Sequence, residues 1–163
     1  MKLTDIYSLK KMGYTNEIKP KHLKKMKKTP SLLQDFPIKY YMGNPPSCNA
    51  SSKTRIELEQ LSELKQDPEF VQEMDNVDET FKKYLNTVGL EFPDSLVEKL
   101  LNDSSILIMK LKYHYNRPRP YQLADHPCIK IDIGKEAMMD SMKTPSYPSG
   151  HSTQGILTVS YTH

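Results

Sequence analysis

Two short strings in the sequence bring together residue types suited to holding an oxyanion. In KYHYNRPRP, Lys112 to Pro120, a lysine is followed by Arg117 and Arg119, each with a proline directly after it. An arginine fork can hold two phosphate oxygens at once, a lysine supplies a compact charge, and proline fixes the backbone beside each guanidinium. In SYPSGHS, Ser146 to Ser152, a proline precedes Ser149, Gly150 and His151, and the residues that follow read as a helix. A helix opening there points unpaired N–H groups and the positive end of its dipole at whatever lies in front, which makes an anion site. Gly150 lets the backbone come close to a bound group, Ser149 can cap the helix or donate to an oxygen, and His151 can exchange a proton with a leaving group. Taken singly, each string has a plainer reading, as surface charge near a helix end or as a helix cap beside a surface histidine.

The elements that must carry these strings are helical. From Ser52 onward Ile56, Leu58, Leu61 and Leu64 recur near helical spacing, with Ser51 or Ser52 available as N-cap. Pro68 suits the first turn of a second helix, whose apolar stripe comprises Phe70, Val71, Met74, Val77, Phe81, Tyr84 and Leu85, with Gly89 as its stop. Asp94 can cap a short helix through Leu101, and Asp103 a separate, longer one through Tyr115, ended by Pro118 and Pro120. Tyr121 to Pro148 reads as a long loop with one helical turn near Glu136 to Met142, and a last helix begins at Gly150 or His151. No stretch alternates as a strand does, so the expected fold class is all-α.

The 163 residues suffice for one domain, and 37% hydrophobic content is modest for one. The net charge of +3 is concentrated in an N-terminal run that includes Lys19, Lys21, Lys24, Lys25, Lys27 and Lys28. Without interleaved aromatics this run reads as a solvated face or loose arm, and nucleic acid is not an expected partner. No segment is apolar enough to serve as a signal peptide or transmembrane span, so a cytoplasmic chain with Cys48 and Cys128 reduced is expected.

The two strings together, in this order and with a loop between them, resemble the first two motifs of the type 2 phosphatidic acid phosphatase (PAP2) superfamily. KYHYNRPRP is similar to that family's Lys, six residues, Arg-Pro, and PSGH to its second motif. The first motif admits two registers, Lys112 with Arg119 or Lys110 with Arg117; the former is preferred because soluble acid phosphatases of the class show a similar Lys-x-His-Tyr-x-Arg-x-Arg-Pro string. NPPSCNASSKTRIELEQL resembles a stretch of soluble, haloperoxidase-like relatives, so the likeness runs from about Asn44 to the end and is weakest over 65–95.

The resemblance implies a helical bundle of the PAP2/haloperoxidase type, C-terminally incomplete, with residues 1–43 a basic segment of unknown role and 44–163 a partial PAP2-type domain. It implies a phosphoric monoester hydrolase in which Lys112, Arg119, Ser149 and the Gly150 amide hold the phosphoryl oxygens and His151 acts as general acid. The family's nucleophile is a histidine of a third motif, Ser-Arg, five residues, His, three residues, Asp, and residues 152–163 contain no such string. The expectation is therefore a chain inactive alone, or one whose site is completed by a second polypeptide or subunit. Ile156, Leu157 and Val159 are then expected to be exposed. The ligand implied is phosphate or a phosphomonoester, with no metal or other cofactor. A vanadate-dependent haloperoxidase, which would need vanadate, and a non-catalytic phosphate-binding remnant are the alternative readings.

Overall fold

A computed structural model describes residues 2–43, 45–65, 67–74, 77–91, 94–133 and 142–162. Among these residues the chain is helical, with no strand: α1 (Leu3–Lys11), α2 (Pro20–Met26), α3 (Ile38–Tyr41), α4 (Ser52–Glu63), α5 (Pro68–Met74), α6 (Val77–Thr87), α7 (Asp94–Tyr115), α8 (Pro120–Ala124) and α9 (Gly150–Thr162). The all-α expectation holds. None of the described helices is long and apolar enough to cross a membrane. Cys48 and Cys128 are both free thiols.

Local chemistry sets several of the boundaries. Ser51 is the N-cap of α4, its hydroxyl accepting from the Thr54 N–H at 3.2 Å, while Thr54 Oγ1 donates to the Cys48 carbonyl at 3.0 Å. Gly89 has φ of 72° and closes α6 in a Schellman arrangement. Leu90 N–H returns to the Leu85 carbonyl at 3.0 Å and Gly89 N–H to that of Asn86 at 3.3 Å. Asn116, at φ 49°, turns the chain after α7, a left-handed position that asparagine tolerates better than most side chains. Pro120 does more than end a helix, because it occupies the first turn of α8, where its missing N–H costs nothing.

Some boundaries fall elsewhere than expected: α5 and α6 stand where one helix from Pro68 to Gly89 is expected, and α8 takes up the start of the expected loop. Asp94 to Tyr115 is a single helix of 22 residues rather than two. The run Asn102-Asp103-Ser104-Ser105 has the side chains that usually open a helix, but they bond in other directions. Ser104 and Ser105 hydroxyls donate back to the Leu101 and Asn102 carbonyls, both at 2.9 Å. The Asp103 carboxylate accepts from the backbone N–H groups of Ser31, Leu32 and Leu33 at 2.8, 2.5 and 3.1 Å. It therefore caps a remote turn, not its own helix. Burial alone would raise the pKa of this carboxyl, yet the hydrogen bonds from Ser31, Leu33 and Leu32 hold it below its ordinary value. A group depressed in this way stabilises the fold above its unfolded pKa of 3.8, and the contribution is lost as pH falls through the folded value. Asp103→Ala is expected to lower stability by about 2 kcal/mol near neutrality, read from the urea midpoint, with the difference from wild type shrinking in acid.

Helix α7 is the central post, contacted by α2 and α9, while α6 packs on both α5 and α9. It buries Val97, Leu100, Ile106, Leu107 and Ile108. A second cluster joins Leu9, Leu58, Leu123 and Ile129 from α1, α4, α8 and the turn after it. The apolar stripes read from the sequence are only partly covered. On α4 Leu58 is buried but Ile56, Leu61 and Leu64 are exposed, and Leu85 is buried while Phe70 and Tyr84 are not. On α9 Ile156 and Val159 are exposed as expected, and Leu157 is half-buried. The side chains of Met74, Val77 and Asp94 lie outside the described residues, as does nearly all of the turn expected near Glu136 to Met142.

The basic run is fastened to α7 instead of hanging loose. Its lysines are mostly exposed, but His22 is buried and its Nδ1 lies 2.9 Å from the Tyr113 hydroxyl. Lys25 Nζ donates to Ser105 Oγ at 2.9 Å, and Lys110 Nζ donates to the Lys28 carbonyl at 3.3 Å.

Candidate functional site

The two strings that carry the chemistry meet around one cavity of about 610 Å3. Lys112, Arg119, Ser149, Gly150 and His151 all line it. A volume of this size suits a small organic ligand. Contacts with the main chain just before the second string hold the first string in place. Lys112 Nζ donates to the Pro145 carbonyl at 2.7 Å, and Arg119 Nε donates to that of Thr144 at 2.6 Å, with Nη2 on Thr144 Oγ1 at 3.1 Å. Ser146 answers in the other direction, its N–H on the Arg117 carbonyl at 3.0 Å and its hydroxyl on that of Pro118 at 2.7 Å. The Tyr115 and Tyr147 rings meet edge-on, 5.2 Å between centroids.

Lys112 is only 5% exposed. Burial, and then the neighbouring Arg119 charge, bring its pKa down to about 7. Burial likewise lowers Arg119 from its ordinary value. Two cations pressed together in a partly dry wall are stabilised by an anion between them, and the opening of α9 adds to that field. Ser149 is the N-cap of this helix, its hydroxyl accepting from the Ser152 N–H at 3.2 Å. A Cβ added to Gly150 would meet nothing closer than an Ile108 methyl at 3.9 Å, so packing does not demand glycine there.

The other register of the first motif faces elsewhere. Two residues along a helix point to nearly opposite sides, and Lys110 accordingly reaches Lys28. Arg117 pairs with Glu57 at 3.2 Å and lines a neighbouring cavity that shares Arg119, Ser146 and Ser149 with the first.

Sequence reasoning missed several contributors to the cavity, among them the polar side chains of Thr144, Ser105, Lys25 and Gln154. Thr144 lies two residues before the second string and could have been included with it. Ser105 lies seven residues before Lys112, close to one face of α7. Nothing in the sequence distinguishes Lys25 from its neighbouring lysines. Among the described residues no group of three His, Cys, Asp or Glu side chains is placed to hold a metal ion. No family model, curated protein or solved structure matches the chain.

Proposed function

We propose that this chain forms the phosphate-binding and proton-donating part of a PAP2-type histidine phosphatase acting on phosphomonoesters, with its helices arranged as in that family's bundle. One observation carries the reading: Lys112, Arg119 and the first turn of α9 line the same cavity. In the proposed reaction Lys112, Arg119, Ser149 and the Gly150 N–H hold the non-bridging oxygens, where charge grows in the transition state. A histidine attacks phosphorus, the ester P–O bond breaks, and His151 gives its proton to the departing oxygen. Residues 1–163 contain no Ser-Arg-x5-His-x3-Asp string. The covalent step is therefore proposed for this chain together with a further segment, second polypeptide or subunit that carries one.

Calorimetry with inorganic phosphate tests the binding half of the proposal, and Gly150→Ala sharpens it. Because the added methyl has room in the fold, the thermal midpoint should hold or rise slightly, while phosphate affinity falls about tenfold as the backbone is kept from the anion. Wild-type chain that binds no phosphate, or a Gly150→Ala variant that binds it as well as wild type, would overturn the reading. Hydrolysis of p-nitrophenyl phosphate in the presence of the third-motif segment, abolished by His151→Ala, tests the catalytic half.

A further inference from the structure

A third cation, contributed by α2, lines the same cavity. Lys25, half-buried on α2, and its partner Ser105 both line it. Ser105 precedes Lys112 by seven residues, which on an α-helix is about 10 Å along the axis and nearly the same face. Between them, on that side of α7, Ile108 and Met109 form an apolar floor. Two lysines and one arginine thus line the cavity, and none of its described lining residues is a carboxylate. Burial, followed by the nearby charges of Lys28 and Lys21, lowers the pKa of Lys25, so its charged form gains from a facing anion.

We propose that Lys25 and Ser105 form a second anion subsite. The ligand this cavity fits is a phosphomonoester bearing a second anionic group at the far end of a short carbon skeleton, with the skeleton lying over Ile108 and Met109. This rests on the phosphate reading of the Lys112 end and adds the substrate class to it. The basic N-terminal run then has a role at the site, which one of its lysines reaches directly.

The test compares fructose 1,6-bisphosphate with fructose 6-phosphate, which differ by one terminal phosphate, by calorimetry on the full chain. Wild type should bind the bisphosphate about tenfold more tightly. Lys25→Met should bring the two affinities together while leaving the monophosphate within about twofold of wild type. Lys25→Arg should keep the preference, and so should Lys24→Met, which removes an exposed charge from the same helix. A wild type that binds both sugars equally, or a preference that survives Lys25→Met, overturns the second subsite and leaves the first intact. A wild type that binds neither sugar phosphate overturns both.

Discussion

Replacing Lys112 with methionine is expected to weaken phosphate binding about 100-fold and, at the same time, to make the chain harder to unfold. The side chain is buried, and its ammonium is held beside Arg119 with a hydrogen bond to the Pro145 carbonyl. Its pKa falls from 10.5 to about 7. Between those values the unfolded chain keeps a proton that the folded chain gives up, so stability rises with pH across that window. Below pH 7 the penalty is complete. Methionine keeps the stem and removes the charge, which should raise stability by about 1–3 kcal/mol at pH 7 after allowing for the lost hydrogen bond. The gain should vanish as pH approaches 10.5. Phosphate affinity should fall about 100-fold, because a desolvated charge facing the anion is lost. Urea titrations at several pH values and calorimetry check both parts. A less stable variant that still binds phosphate would refute the account. The same linkage predicts that sulfate, which does not itself titrate in this range, binds progressively less well above pH 7. Lys25, Arg119 and His151 face the same cavity. The slope should therefore persist in His151→Gln and disappear in Lys112→Met.

Arg119→Ala should weaken binding to a similar extent, but with the opposite effect on stability. The guanidinium holds both the carbonyl and the hydroxyl of Thr144, and those contacts fix the approach to α9. Their loss should cost about 2–4 kcal/mol. It should also speed hydrogen exchange at the Ser146 amide, which is bonded to the Arg117 carbonyl. Arg119→Lys restores charge without the fork, so it should recover little of either property. If the Ser146 amide stays as protected in Arg119→Ala as in wild type, the guanidinium does not organise this loop.

How much of this could be read from the sequence depended on the range of the interactions. The Ser51 cap, the Gly89 stop and the start of α9 come from contacts within a few residues, and all three are where their local chemistry puts them. Asp103 was misread because its partners, Ser31 to Leu33, are some seventy residues away, and no local pattern distinguishes a cap from a remote acceptor. The exposed members of the α4 stripe, Leu61 and Leu64, show the same limit, since periodicity marks a face without saying what covers it. The choice between Lys110 and Lys112 could be framed from the sequence, but which of the two is buried depends on how α2 and α9 pack against α7. Lys25 is the extreme case, a residue of unremarkable type in a basic run, given a place at the cavity only by the docking of α2.

Lys112 and Arg119 grip main-chain oxygens at Pro145 and Thr144, and Ser146 grips those of Arg117 and Pro118. A peptide oxygen is present whatever amino acid occupies the position. Substitutions at Arg117 or Thr144 can therefore alter the walls of the two cavities while most of the frame that joins the strings stays in place. Such a scaffold can change what it selects without first having to learn a new way to fold.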